Sequence, residues 1–284
     1  MSPDPWLAAL GPGARVLERR PLSGGYATAS VERVDLVVDG RERAVVVKRT
    51  GPAEVAAMRA IAVVRDDRLP RMLATGRDGD DHWLVLAHHD GPALDDDAPV
   101  PDAVWSVLGS VHRHWWRKRP RGLPVVDPAS WSRTLLERTL PAVRGAAQRS
   151  GDPDLARVAA RVPQWAQDPR AHRALTVLPR TLCHGDAHRG NVLLPADGPR
   201  LIDWGSARVA VPALDLVTLT GGAAPAPPEA YRGPEPPGDL AAAMGHWARV
   251  QAHTQYLAFA ADHLGTARVL EMADAVETSL AALG

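Results

Sequence analysis

The chain has 284 residues with 33 basic and 33 acidic side chains, so its formal net charge is zero. That balance leaves no global electrostatic footprint for nucleic acid or an anionic membrane, and neither is expected as a partner. One cysteine, Cys183, excludes an internal disulfide framework and fits a reducing cytosol. The start, Met1-Ser2-Pro3-Asp4-Pro5-Trp6, has no basic stretch leading into an apolar one, so no signal peptide is expected. No uncharged apolar run approaches roughly 18 residues, so no membrane span is expected and the anticipated location is cytoplasmic. The length admits one large domain or two lobes around a cleft.

Positive charge is carried almost wholly by arginine, with lysine only at Lys48 and Lys118. A GC-rich genome explains the skew. A lysine kept against that bias is a candidate for a position that needs a lysine.

In chain order, residues 14–20 read as a strand entering Leu22-Ser23-Gly24-Gly25-Tyr26-Ala27-Thr28. Residues 29–38 alternate as a second strand, Asp39-Gly40 signals a two-residue hairpin, and Ala44 to Lys48 form a third. The Ser-Gly-Gly turn reads either as a plain turn or as a loop whose bare backbone N–H groups approach phosphates. After Gly51-Pro52, residues 53–65 read as a helix. Glu54 on it serves either as an acidic first-turn residue or as the ion-pair partner of Lys48. Two further strands are expected at 69–75 and 82–87. His88-His89-Asp90-Gly91-Pro92 then breaks the pattern, placing a boundary between a lobe of residues 1–90 and another of 91–284.

From Pro101 the chain reads as mainly helical. Asp102 is placed as the cap of a helix running to about His114, with Val104, Leu108 and Val111 on one face. Further helices are expected at 130–149, 153–167, 239–262 and 266–282. His246, Trp247, His253 and Tyr256 fall on the first of the last two. Between Arg113 and Arg180 arginines are frequent and acids few, which marks a solvated surface or an anion-attracting one. Residues 225–238 are proline-rich and read as a functional flap or a mobile connection.

The stretch from Leu182 to Gly205 holds three polar residues, Asp186, Asn191 and Asp203, that folding alone does not require. Thr181 to Cys183 and Asn191 to Leu194 read as short strands around a loop. Ala196-Asp197-Gly198 reads as a turn, and Arg200-Leu201-Ile202 as the strand delivering Asp203. The three would converge at one end of a small hairpin. Phosphoryl transfer needs such a set: a carboxylate to take the hydroxyl proton, hard oxygen ligands for Mg²⁺, and a lysine for phosphate charge.

His184-Gly185-Asp186, with Asn191 five residues on and then Ile202-Asp203-Trp204, resembles the signature of the aminoglycoside phosphotransferase and choline kinase-like family. These are small-molecule kinases related to the protein kinases. The resemblance runs in order over roughly residues 14 to 220. It implies an α+β, bilobal protein-kinase-like fold, with a small antiparallel sheet and one helix in the first lobe and a larger, mainly helical second lobe. It implies ATP, or GTP, and Mg²⁺. Asp186 matches the catalytic base, Asn191 and Asp203 the metal ligands, and Lys48 the lysine on the nucleotide phosphates, oriented by Glu54. Ser23, Gly24 and Gly25 match the nucleotide-covering loop. Ala87 to His89 match the hinge whose backbone holds the base. His184 matches the histidine supporting the loop, His188 a phosphate-contacting position, and Asp215 a brace of the catalytic loop.

A metal-hydrolase reading of His184 and His188 lacks the glutamate beside the first histidine, and no Gly-Lys occurs for a P-loop. Only Trp204 to Leu214 separates Asp203 from Asp215, too short a segment to order a peptide, so a small hydroxylated molecule is the expected acceptor. An antibiotic is favoured, for self-resistance or tailoring. A metabolite such as an amino sugar or a choline-like alcohol is the alternative, and a non-catalytic nucleotide-binding module is a further one. Polycationic aminoglycosides need several carboxylates beside the base. Asp215, Asp262, Glu271 and Asp274 are the candidates for that role, and the basic middle segment weighs against it.

Overall fold

The computed structural model describes residues 4–22, 31–222, 226–238 and 240–284. A short helix, α1 (Pro5–Ala8), precedes five strands, β1 (Arg15–Pro21), β2 (Val31–Val38), β3 (Arg41–Thr50), β4 (Met72–Asp78) and β5 (Asp81–Ala87). They form one antiparallel sheet in the order β1-β2-β3-β5-β4, with α2 (Pro52–Ala62) between β3 and β4. At the β2–β3 hairpin, Asp39 and Gly40 both have positive φ, 50° and 73°, as a primed two-residue turn requires. The third strand extends past Lys48 to Thr50, because Arg49 and Thr50 still pair with Trp83 and His82. The expected strand at 69–75 begins three residues later, at Met72.

Alternation along β3 sorts the side chains between two cores. Val45 and Val47 join Val34, Leu36, Trp83 and Trp6 on one face. Lys48 points to the other, where its cross-strand neighbour Leu84 packs with α2. Helix α2 opens on Gly51 with Pro52 in its first turn, a position where the missing N–H costs nothing. Its buried Val55, Met58 and Ile61 share a core with Leu182, Val192, Leu201 and Trp204. Fully buried side chains of this size contribute roughly 2 kcal/mol each, so α2 is held to the central stretch as firmly as to its own sheet.

The remainder is mainly helical: α3 (Asp102–His114), α4 (Pro128–Thr134), α5 (Leu140–Ser150), α6 (Pro153–Ala166), α7 (Pro169–Val177), and, after the central strands, α8 (Ala213–Leu219), α9 (Leu240–His263) and α10 (Thr266–Ala281). The predicted cap at Asp102 is corrected. Pro101 is the N-cap and makes no side-chain cap bond, while Asp102 lies in the first turn. The single helix expected over 130–149 starts earlier, where the Asp127 carboxylate caps the Ser130 N–H at 2.8 Å. It is also interrupted by a π-helical turn, Leu135–Thr139, closed by the Leu140 N–H on the Leu135 carbonyl. Pro141 has no N–H for the carbonyl four residues back, and the wider turn absorbs that loss. Helix α7 was not anticipated. Its start signal, Asp168-Pro169, is present, and the Asp168 side chain accepts from Arg170 N at 2.8 Å.

Residues 226–238 do not form a free flap. Tyr231 is buried, its hydroxyl lies 2.6 Å from His112 Nδ1, and Arg113 donates to the Arg232 carbonyl. The segment crosses α3 at Gly109, where any Cβ would meet the Tyr231 carbonyl oxygen at 1.5 Å.

Candidate functional site

Four short strands carry the central stretch: β6 (Thr181–Cys183), β7 (Val192–Leu193), β8 (Arg200–Leu201) and β9 (Arg208–Ala210). β6 pairs with β9 and β7 with β8, both antiparallel, so the loop 184–191 and Asp203 emerge at neighbouring strand ends. The hinge segment adds a backbone link. Leu94 N donates to the Val192 carbonyl at 2.8 Å, and Leu194 N to the Pro92 carbonyl at 2.9 Å.

The loop 184–191 is fixed from below by Asp215. One of its carboxylate oxygens accepts from His184 N at 2.7 Å and lies 3.0 Å from His112 Nε2; the other accepts from Gly185 N at 2.8 Å. Burial alone would raise the Asp215 pKa. The hydrogen bond and charge of His112 outweigh it and hold the carboxyl below its usual range. Gly185 has φ +80°, and a Cβ there would stand 2.3 Å from the Ser206 carbonyl oxygen. His184 Nε2 donates to the Ile202 carbonyl, 2.7 Å away, and its ring packs on Trp204. Asp215 and His184 thus tie the loop to α3 and to Ile202, just past β8.

The loop presents Asp186. The Tyr256 hydroxyl, from α9, donates to Asp186 Oδ1. Burial, then the neighbouring Asp186 charge, push the Tyr256 phenol far up, so it is a fixed donor. The other oxygen, Oδ2, lies 3.9 Å from His188 Nε2. His188 is half exposed, and its Nδ1 accepts from Gly190 N at 3.1 Å, closing the turn that holds Asn191. Asn191 Nδ2 donates to the Asp186 carbonyl at 2.9 Å, while Ile202 N donates to the Asn191 carbonyl at 2.8 Å. One residue further, Asp203 sits in the left-handed region at φ 59°, ψ 68°.

Asp203 Oδ1 accepts from Lys48 Nζ at 2.8 Å, and Glu54 Oε1 accepts from the same ammonium at 3.0 Å. Thr50 donates to the second Glu54 oxygen. Glu54 is 3 % exposed, a burial that an unpaired carboxylate does not tolerate. Lys48 and Glu54 are only six positions apart, yet the strand end and the first turn of α2 bring them together. Burial would depress the Lys48 pKa, but the charges of Glu54 and Asp203 overcome it and raise it. Burial likewise opposes ionisation of Asp203, and Lys48 wins, holding that carboxyl low.

Of the hinge residues, Ala87 ends β5 opposite Val45. The His89 ring is tucked in, its Nε2 without a hydrogen-bond partner among the described residues, and burial lowers the pKa of both His88 and His89. Ser23, Gly24 and Gly25 lie outside the described residues.

Beside Asp186 opens a cavity of about 410 Å³, walled by the π-helical turn and by α9. Two of its residues were missed in the sequence. Tyr256 is 70 positions from Asp186, with no motif linking them. Arg208 is half-buried on β9, held by its Nε on the Ser206 carbonyl at 2.9 Å and its Nη1 on Gln255 Oε1 at 3.1 Å. Gln255 in turn donates to the Gly185 carbonyl at 2.8 Å. The carboxylates considered for a polycation lie elsewhere: Asp262 pairs with Arg149, Glu271 with Arg268 at 2.6 Å, and Asp215 lies under the loop. None of these, nor Asp274, lines the cavity.

Residues 18–259 match the model of a family described as "Phosphotransferase enzyme family". No protein in the curated collection matches the sequence. Solved structures are similar over nearly the whole chain. A thermostable mutant of aminoglycoside phosphotransferase APH(4)-Ia, in complex with ADP and hygromycin B, is 13 % identical with a TM-score of 0.55, covering 94 % of each chain. A protein named as a fructosamine-3-kinase, from Haemophilus somnus 129PT, is 10 % identical with a TM-score of 0.59, covering 97 % of this chain and 96 % of that one. Choline kinase from Cryptosporidium parvum Iowa II is 11 % identical with a TM-score of 0.58, covering 94 % and 88 %. At such identities the likeness is one of fold, and the fold is protein-kinase-like.

Proposed function

The chain belongs to the phosphotransferase enzyme family, and we propose that it moves the γ-phosphoryl group of ATP or GTP to a hydroxyl of a small molecule. The observation that carries this reading is one continuous set of contacts. It runs from Glu54 through Lys48 to Asp203, and from Asn191 through the Asp186 backbone to a carboxylate facing a cavity.

In this reading Asp186 is the base. Tyr256 occupies Oδ1, so Oδ2 takes the acceptor proton. As the acceptor oxygen bonds to the γ-phosphorus, the bond to the β–γ bridging oxygen breaks and the nucleoside diphosphate leaves with the electron pair. Lys48, kept charged by two carboxylates, meets the α- and β-phosphates with Glu54 holding its direction. Residues 1–90 are read as the nucleotide lobe, with Ala87 to His89 beside the nucleotide's base, and residues 91–284 as the catalytic and acceptor side. His188 stands where a phosphate oxygen would be met.

The donor set fits Mg²⁺. Asn191 spends its amide nitrogen on the Asp186 carbonyl and Asp203 one oxygen on Lys48, and each keeps a hard oxygen uncommitted among the described residues. When bound there, the ion would neutralise charge on the phosphate oxygens.

A hydroxylated antibiotic is the acceptor favoured by the relatives named as aminoglycoside phosphotransferases. The fold neighbours named as fructosamine-3-kinase and choline kinase support a metabolite alcohol as the second reading. Mass spectrometry of a mixed antibiotic and metabolite panel with ATP or GTP tests both, the signal being a gain of one phosphoryl group lost in Asp186→Asn. Nucleotide binding without any turnover would sink the catalytic reading.

A further inference from the structure

The cavity beside Asp186 has a charge balance unlike that required for a polyamine. Among the described residues lining it, Asp186 is the sole carboxylate, and one of its oxygens is already held by Tyr256. Two arginines line it as well, Arg208 and Arg138. Arg208 is half-buried and makes no ion pair among the described residues, its hydrogen bonds going to a carbonyl and an amide oxygen. Arg138 lies on the exposed π-helical turn and makes no ion pair among the described residues. An ammonium group entering here would lose water and meet two cations and a half-occupied carboxylate.

The rest of the wall says what shape is accepted. Val125, Val126, Trp131 and Leu135 give an apolar side. Gln251, only 4 % exposed, lines the same cavity, and its Oε1 has no hydrogen-bond partner among the described residues. A buried carbonyl oxygen left unpaired costs about 1–3 kcal/mol, a cost relieved by a hydroxyl or N–H of a bound molecule.

We propose that the phosphate acceptor is a hydroxylated molecule with an apolar body and an anionic group, its carboxylate or phosphate paired with Arg138 and its body on the Trp131–Leu135 wall. This rests on the reading of Asp186 as the base. Opposite charge at the rim also raises the encounter rate of such an acceptor and lowers that of a polycation.

The test uses the 284-residue chain with radiolabelled ATP and sets of aliphatic and aromatic alcohols. Each alcohol is supplied as a carboxylic acid, the matched carboxamide and the matched amine, alongside hygromycin B. In the best-accepted set, kcat/KM for the acid should exceed that for the amine by at least about ten-fold, with no transfer to hygromycin B. Arg138→Glu should cancel or reverse the order, while Arg138→Lys keeps it. Arg138 is exposed, so neither substitution threatens folding. Equal or better use of the amine, transfer to hygromycin B, or an unchanged order in Arg138→Glu would overturn the proposal. No transfer to any acid, with nucleotide hydrolysis still dependent on Asp186, would overturn the acceptor class alone. Absence of that hydrolysis as well would bring down the reading of Asp186 with it.

Discussion

Replacing Asp215 with asparagine tests how the loop 184–191 is held. The aspartate is fully buried and accepts from two consecutive backbone N–H groups, His184 at 2.7 Å and Gly185 at 2.8 Å, with His112 3.0 Å away. Asparagine is the same size but has one acceptor oxygen. If that oxygen serves His184 and His112, its NH₂ faces the Gly185 N–H, and the reverse flip orphans His184. One buried donor therefore loses its acceptor and meets another donor, costing about 1–3 kcal/mol. The remaining bonds lose their charge assistance, which about halves each of them. Together these predict a loss of about 3–5 kcal/mol, read from urea unfolding at pH 7. The sign with pH follows from the depressed folded pKa of Asp215. Its contribution is fully present above the ordinary carboxylate range and is lost as pH falls through the folded value. The gap between the two proteins should therefore hold from pH 8 to about 5, begin to narrow near about 4 and close only below the folded value. Nucleotide hydrolysis should fall further than nucleotide affinity, since the displaced backbone leads into Asp186. A loss under about 1 kcal/mol at pH 7 would refute the bracing role.

Two further outcomes follow from the same coordinates. Gly185→Ala places a Cβ 2.3 Å from the Ser206 carbonyl oxygen at a positive φ. The left-handed conformation alone costs about 1–2 kcal/mol, so both thermal stability and turnover should drop, and an unaffected turnover would contradict the close approach. His253, buried on α9, has its pKa lowered to about 4, chiefly by burial. Its neutral form adds stability that is full above the unfolded pKa near 6.5 and is lost as pH falls toward 4. Denaturation at pH 7 and pH 5 should differ by about 2 kcal/mol from this group, and His253→Gln should remove that share.

The β3 strand and the 182–205 stretch were legible because their chemistry is local. Alternation places Val47 and Lys48 on opposite faces, and Asp39-Gly40 can hardly do anything but turn. The ends of elements were less so. Asp102 has the composition of a cap, but Pro101 takes that place, and the π-helical turn at Leu135–Thr139 follows from a proline whose effect reaches back several residues. Helix α7 was overlooked because its buried face, Ala171, Ala174 and Leu175, is mostly alanine, despite the helical spacing and a clear start at Asp168-Pro169.

What the sequence determined by itself is the grouping of Asp186, Asn191 and Asp203, the set proposed for phosphoryl transfer, since they lie just before and just after the β7–β8 hairpin, whose strands are neighbours in the chain. Lys48 was recognisable by its rarity and its strand. Only the tertiary structure decided what surrounds them. Tyr256 reaches Asp186 from 70 residues away, Arg208 and Arg138 come to one cavity from separate elements, and the proline-rich segment is pinned on α3 by Tyr231. The reason is physical: contacts within a turn or strand pair are written in short-range pattern. The sign of charge in a cavity depends on which distant side chains packing brings to its wall.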